Sequence, residues 1–104
     1  MKNTLQKGAV RVIIFKEDQK WFGVALEFNI VESGDDPREV MILLDEAIHG
    51  YLASARKASL RPHAVLNQKS DAEYEDLWNA LENKKPIPSP VKVYSFGKRN
   101  LAFA

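Results

Sequence analysis

The spacing of apolar residues changes character along this chain, and each change predicts an element. AVRVIIF (9–15) is short and rich in β-branched residues, which predicts a strand. KEDQK follows as a polar turn. WFGVALEFNIV then alternates, with Phe22, Val24, Leu26, Phe28 and Ile30 on one face and Gly23, Glu27 and Asn29 on the other. Period two over that length predicts a strand with one face on a core. The run is long for one strand, so Asn29 is the predicted break or bulge point before a third strand ending near Ser33.

At ESGDDPREVMILLDEAIHGYL (32–52) the period shifts to that of a helix. Gly34 is expected to supply a positive φ as the chain leaves the strand. Asp36 suits the N-cap, Pro37 the first helical position, and Glu39 completes a capping box. Val40, Leu44, Ala47, Ile48, Tyr51, Leu52 and Ala55 form the predicted buried stripe, with Asp45 and Glu46 outside it. Gly50 interrupts the helix and is expected to allow close packing on the sheet.

KASLRPHAVLNQK (57–69) lacks periodicity and reads as an irregular connection, since Pro62 disfavours a helix at Arg61. Ser70 and Glu73 signal a second helix start, and Tyr74, Leu77, Trp78 and Leu81 give it one apolar face. The proline-containing stretch 84–90 breaks the chain before a predicted strand, VKVYSF. Within that strand Val91, Val93 and Ser95 alternate with Lys92, Tyr94 and Phe96, and the tail LAFA is left as an edge strand or a packing segment. The predicted fold is α+β: a small antiparallel sheet of three to four strands packed against one main helix. Its order is β-β-β-α plus a short helix and a C-terminal strand, with the helices on one sheet face.

The length of 104 residues is that of a single domain spanning 1–104, with no separate DNA-binding domain. Cysteine is absent, which excludes disulfides, thiolate nucleophiles and cysteine zinc sites and fits a reducing cytoplasm. A net charge of +1 argues against bulk attraction to nucleic acid or membrane. The charges are nevertheless in blocks: four bases and no acids from Arg56 to Lys69, five acids and no bases from Asp71 to Glu82, and five bases and no acids from Lys84 to Arg99.

Candidate chemistry is thin. His49 and His63 are the only histidines and lack metal-ligand spacing. Glu27 is the carboxylate best placed for two-metal chemistry, on a predicted strand, whereas Asp36 reads as a cap and Asp45 and Glu46 as a solvated face. None of the serines lies in G-x-S-x-G, and no glycine-rich phosphate cradle occurs. Trp21 and Tyr94 are the aromatics expected to be exposed, Phe22 and Phe28 the ones expected to be buried. The chain is therefore expected not to be an enzyme, with no catalytic, cofactor-binding or metal residues and no cofactor.

The segment KWFGVALEFNIVESGDDPREVMILLDEAIHGYL resembles the HicB-like antitoxin domain over roughly residues 10–55. Trp21 and Phe22 before Ala25, then Gly34, Asp35, Asp36, Pro37, Arg38, Glu39 and Val40 with Leu44 and Ile48 carry the likeness. EFNIVES stands where many members have P-D-L-P-G, and Asp36 stands where a hydroxyl cap is usual. The resemblance implies a β–β–β–α–β module that self-associates and binds a small toxin, an mRNA interferase, by covering its site. Residues 70–104 give one short helix, a proline break and a strand, so the operator-binding appendage of many members is not expected. A non-catalytic, antitoxin-like binding module is the first expectation, with Asp71, Glu73, Glu75 and Asp76 meeting a small basic toxin. The alternative is a nucleic-acid-binding or nuclease-like protein using Lys84, Lys85, Lys92, Lys98 and Arg99 on phosphates.

Overall fold

The computed structural model describes residues 3, 8–57, 66–87 and 91–100. Strands β1 (Ala9–Glu17), β2 (Lys20–Ala25), β3 (Ile30–Gly34) and β4 (Lys92–Asn100) form one antiparallel sheet in the order β3-β2-β1-β4. Helix α1 (Pro37–Lys57) follows β3, and helix α2 (Ala72–Glu82) precedes β4.

The β1–β2 turn is Asp18-Gln19, both at positive φ (52° and 67°). A two-residue turn of that handedness matches the twist of its flanking strands. The long alternating run is divided earlier than expected. β2 ends at Ala25, Leu26–Phe28 form one turn of 3-10 helix, and Asn29 closes it in the left-handed region at φ 53°. Glu27 therefore sits on this turn and not on a strand. The turn also resets the alternation: Val24 and Leu26 join one core, while Phe28 and half-buried Ile30 join the other.

That second core is the main departure from expectation, because the two helices lie on opposite sheet faces. Val10, Val12, Ile14 and Ala25 pack with Val40, Leu44, Ile48, Leu52 and Ala55 of α1. Ile13, Phe15 and Val24 pack with Leu77 and Trp78 of α2. The crossing is made by the segment before α2, which is pinned to the 3-10 turn at the end of the sheet. The Gln68 amide donates to the Glu27 carbonyl (2.7 Å), and Asn29 Nδ2 donates to the Lys69 carbonyl (3.1 Å). A chain held at the sheet's end can continue on either side, and the apolar face of α2 goes to the side α1 leaves open.

Glycines behave differently from expectation. Gly34 has no positive φ; among the described residues no glycine does. Gly50 is exposed with nothing within 4 Å, so it mediates no close packing. Gly23 does. A Cβ there would meet Val40 Cγ1 at 2.7 Å and Ile14 Cδ1 at 3.0 Å, so its hydrogen lets α1 settle onto β2. The Asp36 cap holds as expected: its Oδ1 accepts from the Arg38 amide at 2.8 Å. At α2 the N-cap is Asp71, not Ser70, and the Ser70 hydroxyl turns inward to Glu75.

Asn3 and Asn67 form a reciprocal pair that joins the start of the chain to the segment after α1. The Asn3 amide donates to Asn67 Oδ1 (2.7 Å), and Asn67 Nδ2 returns to the Asn3 carbonyl (2.9 Å). Asn3 is buried and its Oδ1 also takes the Ala9 amide at 2.7 Å. His63, most of the 57–69 connection, residues 88–90 and the LAFA tail lie outside the described residues.

Candidate interaction surfaces

On the α2 face Arg11 stands beside the apolar Ile13 and Phe15 of β1, and it organises the polar chemistry there. Its backbone amide and Nε donate to the two oxygens of Glu27 (2.8 and 2.6 Å). Its Nη1 and Nη2 donate in parallel to the two oxygens of Glu75, both at 2.8 Å. This fork is the geometry in which guanidinium–carboxylate pairs are strongest. Glu75 holds the guanidinium well above the usual arginine range against the opposing effect of burial, with Glu27 adding to it. In return Arg11, with help from the Ser70 hydroxyl, holds the Glu75 carboxyl below its ordinary value although burial pushes it up. The Arg11 Cζ lies 5.7 Å from the Trp78 ring centroid, and Trp78 Nε1 donates to Glu82 at 2.8 Å.

An open cleft of about 340 Å³ lies beside this cluster, lined by Arg11, Glu27, Trp78, Asn79, Glu82 and Lys98 together with Ala9. Glu27 and Glu75 are both committed to Arg11. The oxygens of Glu27 tie the 3-10 turn to β1, and those of Glu75 tie α2 to it. Among the described residues no group of three or more histidine, aspartate or glutamate side chains could hold a metal ion. His49 is exposed on α1.

The acidic block divides in two. Glu75 faces inward, whereas Asp71, Glu73 and Asp76 are exposed. Glu17, at the end of β1, joins them: the half-buried Tyr74 phenol is pushed up by burial and further by the negative charges of Glu73, Asp71 and Glu17. Residues far apart in sequence thus make one acidic surface around a tyrosine.

The basic block is scattered. Lys98 lies in the α2-face cleft, while neighbouring Arg99 points to the opposite face and bonds Asp45 of α1. Lys84 and Lys85 are exposed past the end of α2. Lys92 pairs with Lys16 across the β1–β4 ladder, and Lys16 Nζ sits 5.8 Å from the Trp21 ring centroid. Tyr94 meets Trp21 edge-on at 5.9 Å and remains 48% exposed, as expected for it, whereas Trp21 is half-buried. Phe96, not anticipated as exposed, is 46% exposed and edge-on to Trp78 at 5.7 Å.

Tyr94 and Phe96 come to opposite faces because β4 is irregular. Ile14 pairs with Ser95 but Phe15 pairs with Val93, which leaves Tyr94 as an extra residue in the ladder. The alternation over 91–96 is broken there. Among the described residues β4 has no strand on its outer side.

No family model, curated protein or solved structure matches this chain. No helix among the described residues is long and apolar enough to cross a membrane.

Proposed function

We propose that this chain is a non-catalytic, HicB-like protein-binding module that acts in the cytoplasm. In this reading it occludes a small basic partner of the ribonuclease-toxin kind. The observation that carries the reading is the acidic surface formed by Glu17, Asp71 and Glu73 around Tyr74, with Asp76 exposed on the same helix. Complementary charge steers a basic partner and aligns it, and a half-buried tyrosine adds an amphipathic contact at the centre of the patch. The β–β–β–α order and the terminal strand agree with what the resemblance over residues 10–55 implies.

The test is capture of the tagged protein from its native lysate at moderate salt, followed by reversal of the patch with Glu73→Lys and Asp76→Lys. A stoichiometric small basic protein, lost with the reversed variant and silenced as a ribonuclease by the unaltered chain, is the expected result. Retention of that partner by the reversed variant removes the acidic face from the reading.

A second reading, contact with single-stranded nucleic acid, has its own observation: Trp21 and Tyr94 meet beside Lys16 and Lys92. Aromatic faces among lysines suit base stacking and phosphate contact. It requires RNA affinity that falls steeply with salt and is lost in Tyr94→Ala; absence of affinity at low salt removes it.

A further inference from the structure

The cleft beside α2 is lined by charges of both signs: Arg11 and Lys98, Glu27 and Glu82. Arg11 and Glu27 are bonded to each other and offer a ligand little net charge. One uncommitted charge of each sign is left. Lys98 comes from β4, and among the described residues it forms no ion pair. Glu82 is the last residue of α2; its Oε2 accepts from Trp78 Nε1 at 2.8 Å, and among the described residues its other oxygen has no donor. Asn79, three residues earlier, stands beside it on the same helix face. Trp78 and Phe96 meet edge-on at 5.7 Å between α2 and β4, and so hold the two walls of the cleft at a set distance.

We infer that this cleft binds a small zwitterion of the free amino-acid type, with its carboxylate on Lys98 and its ammonium on Glu82. Charge selects the ligand. A simple anion such as phosphate meets Lys98 but also the carboxylates of Glu27 and Glu82, and Arg11 is already engaged in its fork with Glu75. A simple cation meets Glu82 but also Lys98. A molecule carrying both charges satisfies both ends, each through a charge-assisted hydrogen bond.

Size points the same way. Pockets for drug-sized ligands span about 300 to 1,000 Å³. At about 340 Å³ this cleft stands at the lower limit, with room for a ligand the size of an amino acid. Apart from Ala9 and the Trp78 ring its lining is polar, so a ligand that depends on apolar burial gains little there. The cleft is open, and solvent screening keeps the affinity modest, with a dissociation constant on the order of 1 mM. The site uses none of the residues of the acidic surface around Tyr74.

Trp78 is a direct reporter, because its indole N–H is bonded to the carboxylate that receives the ammonium. Trp21, the other tryptophan, packs on the α1 side and serves as the reference in the same spectrum. The test is titration of the full chain with individual free amino acids to about 20 mM, followed through the indole N–H resonances by NMR. The expected result is a saturable shift of Trp78, with Trp21 unmoved, for at least one of them. The N-acetyl form of that amino acid lacks the cation and its methyl ester lacks the anion. Each blocked form is expected to bind about tenfold more weakly, the loss of one charge-assisted hydrogen bond. Lys98→Gln and Glu82→Gln should weaken binding by a similar factor, whereas Lys20→Gln, at an exposed lysine of the β1–β2 hairpin, should leave it unchanged. Lys98 and Glu82 are exposed, so far-UV dichroism of both variants should match the unaltered chain, and the blocked ligands need no variant at all. No saturable shift of Trp78 with any amino acid, or equal binding of the blocked forms, overturns the inference. These measurements need no protein partner, so they stand or fall separately from the acidic-face reading.

Discussion

The two faces of the sheet are held by different means. On one, the 21-residue α1 lays a continuous apolar stripe over β2 and β3, and Val40 and Leu44 are fully buried. On the other, the 11-residue α2 supplies only Leu77 and Trp78 as buried apolar residues and is clamped by the Arg11–Glu75 fork. A helix of that length is marginal on its own. The long helix rests mainly on apolar area, with the Arg99–Asp45 pair at its exposed side; the short one has less apolar area, and the Arg11–Glu75 fork fixes where along β1 it sits. The cleft and the acidic surface both belong to the more lightly held α2 side.

The comparison breaks most directly at Leu44. Leu44→Ala is expected to destabilise by about 2–5 kcal/mol in urea unfolding, the range for a large cavity in a packed core. A loss well below that would mean α1 is not the principal support. Next comes the close approach at Gly23. Gly23→Ala should lower stability by about 1–3 kcal/mol through the collision with Val40 and Ile14. Adding Val40→Ala should recover part of the loss, and simple additivity in that cycle would place the strain elsewhere.

Smaller effects test the polar side. Arg11→Met keeps the apolar stem and removes the fork. With the paired side chains 20–30% exposed, solvent screening limits the expected cost to about 1–2 kcal/mol. Amide exchange should quicken in residues 72–82 more than in 37–57; equal loosening of both helices would contradict separate support for the two faces.

The smallest effect is a pH dependence. Glu75 binds its proton less readily when folded than its ordinary value of 4.5. Its contribution is therefore complete above that value and is lost as pH falls through the lowered folded-state value. Acid unfolding of Glu75→Gln should lack that component, and an unchanged acid limb would show that the fork does not report on stability.

Much of the α1 side was legible in the chain. Of the predicted stripe Val40, Leu44, Ile48, Leu52 and Ala55 are buried and Ala47 and Tyr51 half-buried, and the Asp36 cap follows from local hydrogen-bonding chemistry. Met41, half-buried against the same core, was not singled out because it lies beside the main stripe. The α2 side was harder. Arg11 reads in sequence as one polar position in a strand, and nothing near it names Glu27 or Glu75, 16 and 64 residues away. Glu75 looked like one more solvated acid of its block. The exposed Phe96 was obscured because the extra residue at Tyr94 shifts the faces of β4, and a bulge depends on the partner strand. Asn3 and Asn67 carry no local signal of their reciprocal bonding.

By itself the sequence determined the four strands and two helices, most of α1's buried face and the α+β class, because these depend on periodicity and caps within a few residues. Only the tertiary structure decided that the sheet is covered on both sides, that Glu27 sits on a turn, and that one acid of the helix faces inward while its neighbours face out. The physical reason is that local spacing states which side chains must leave water, whereas where they go is set by contacts between distant segments. Here those contacts are the 3-10 turn that holds Gln68 and the guanidinium that holds Glu75.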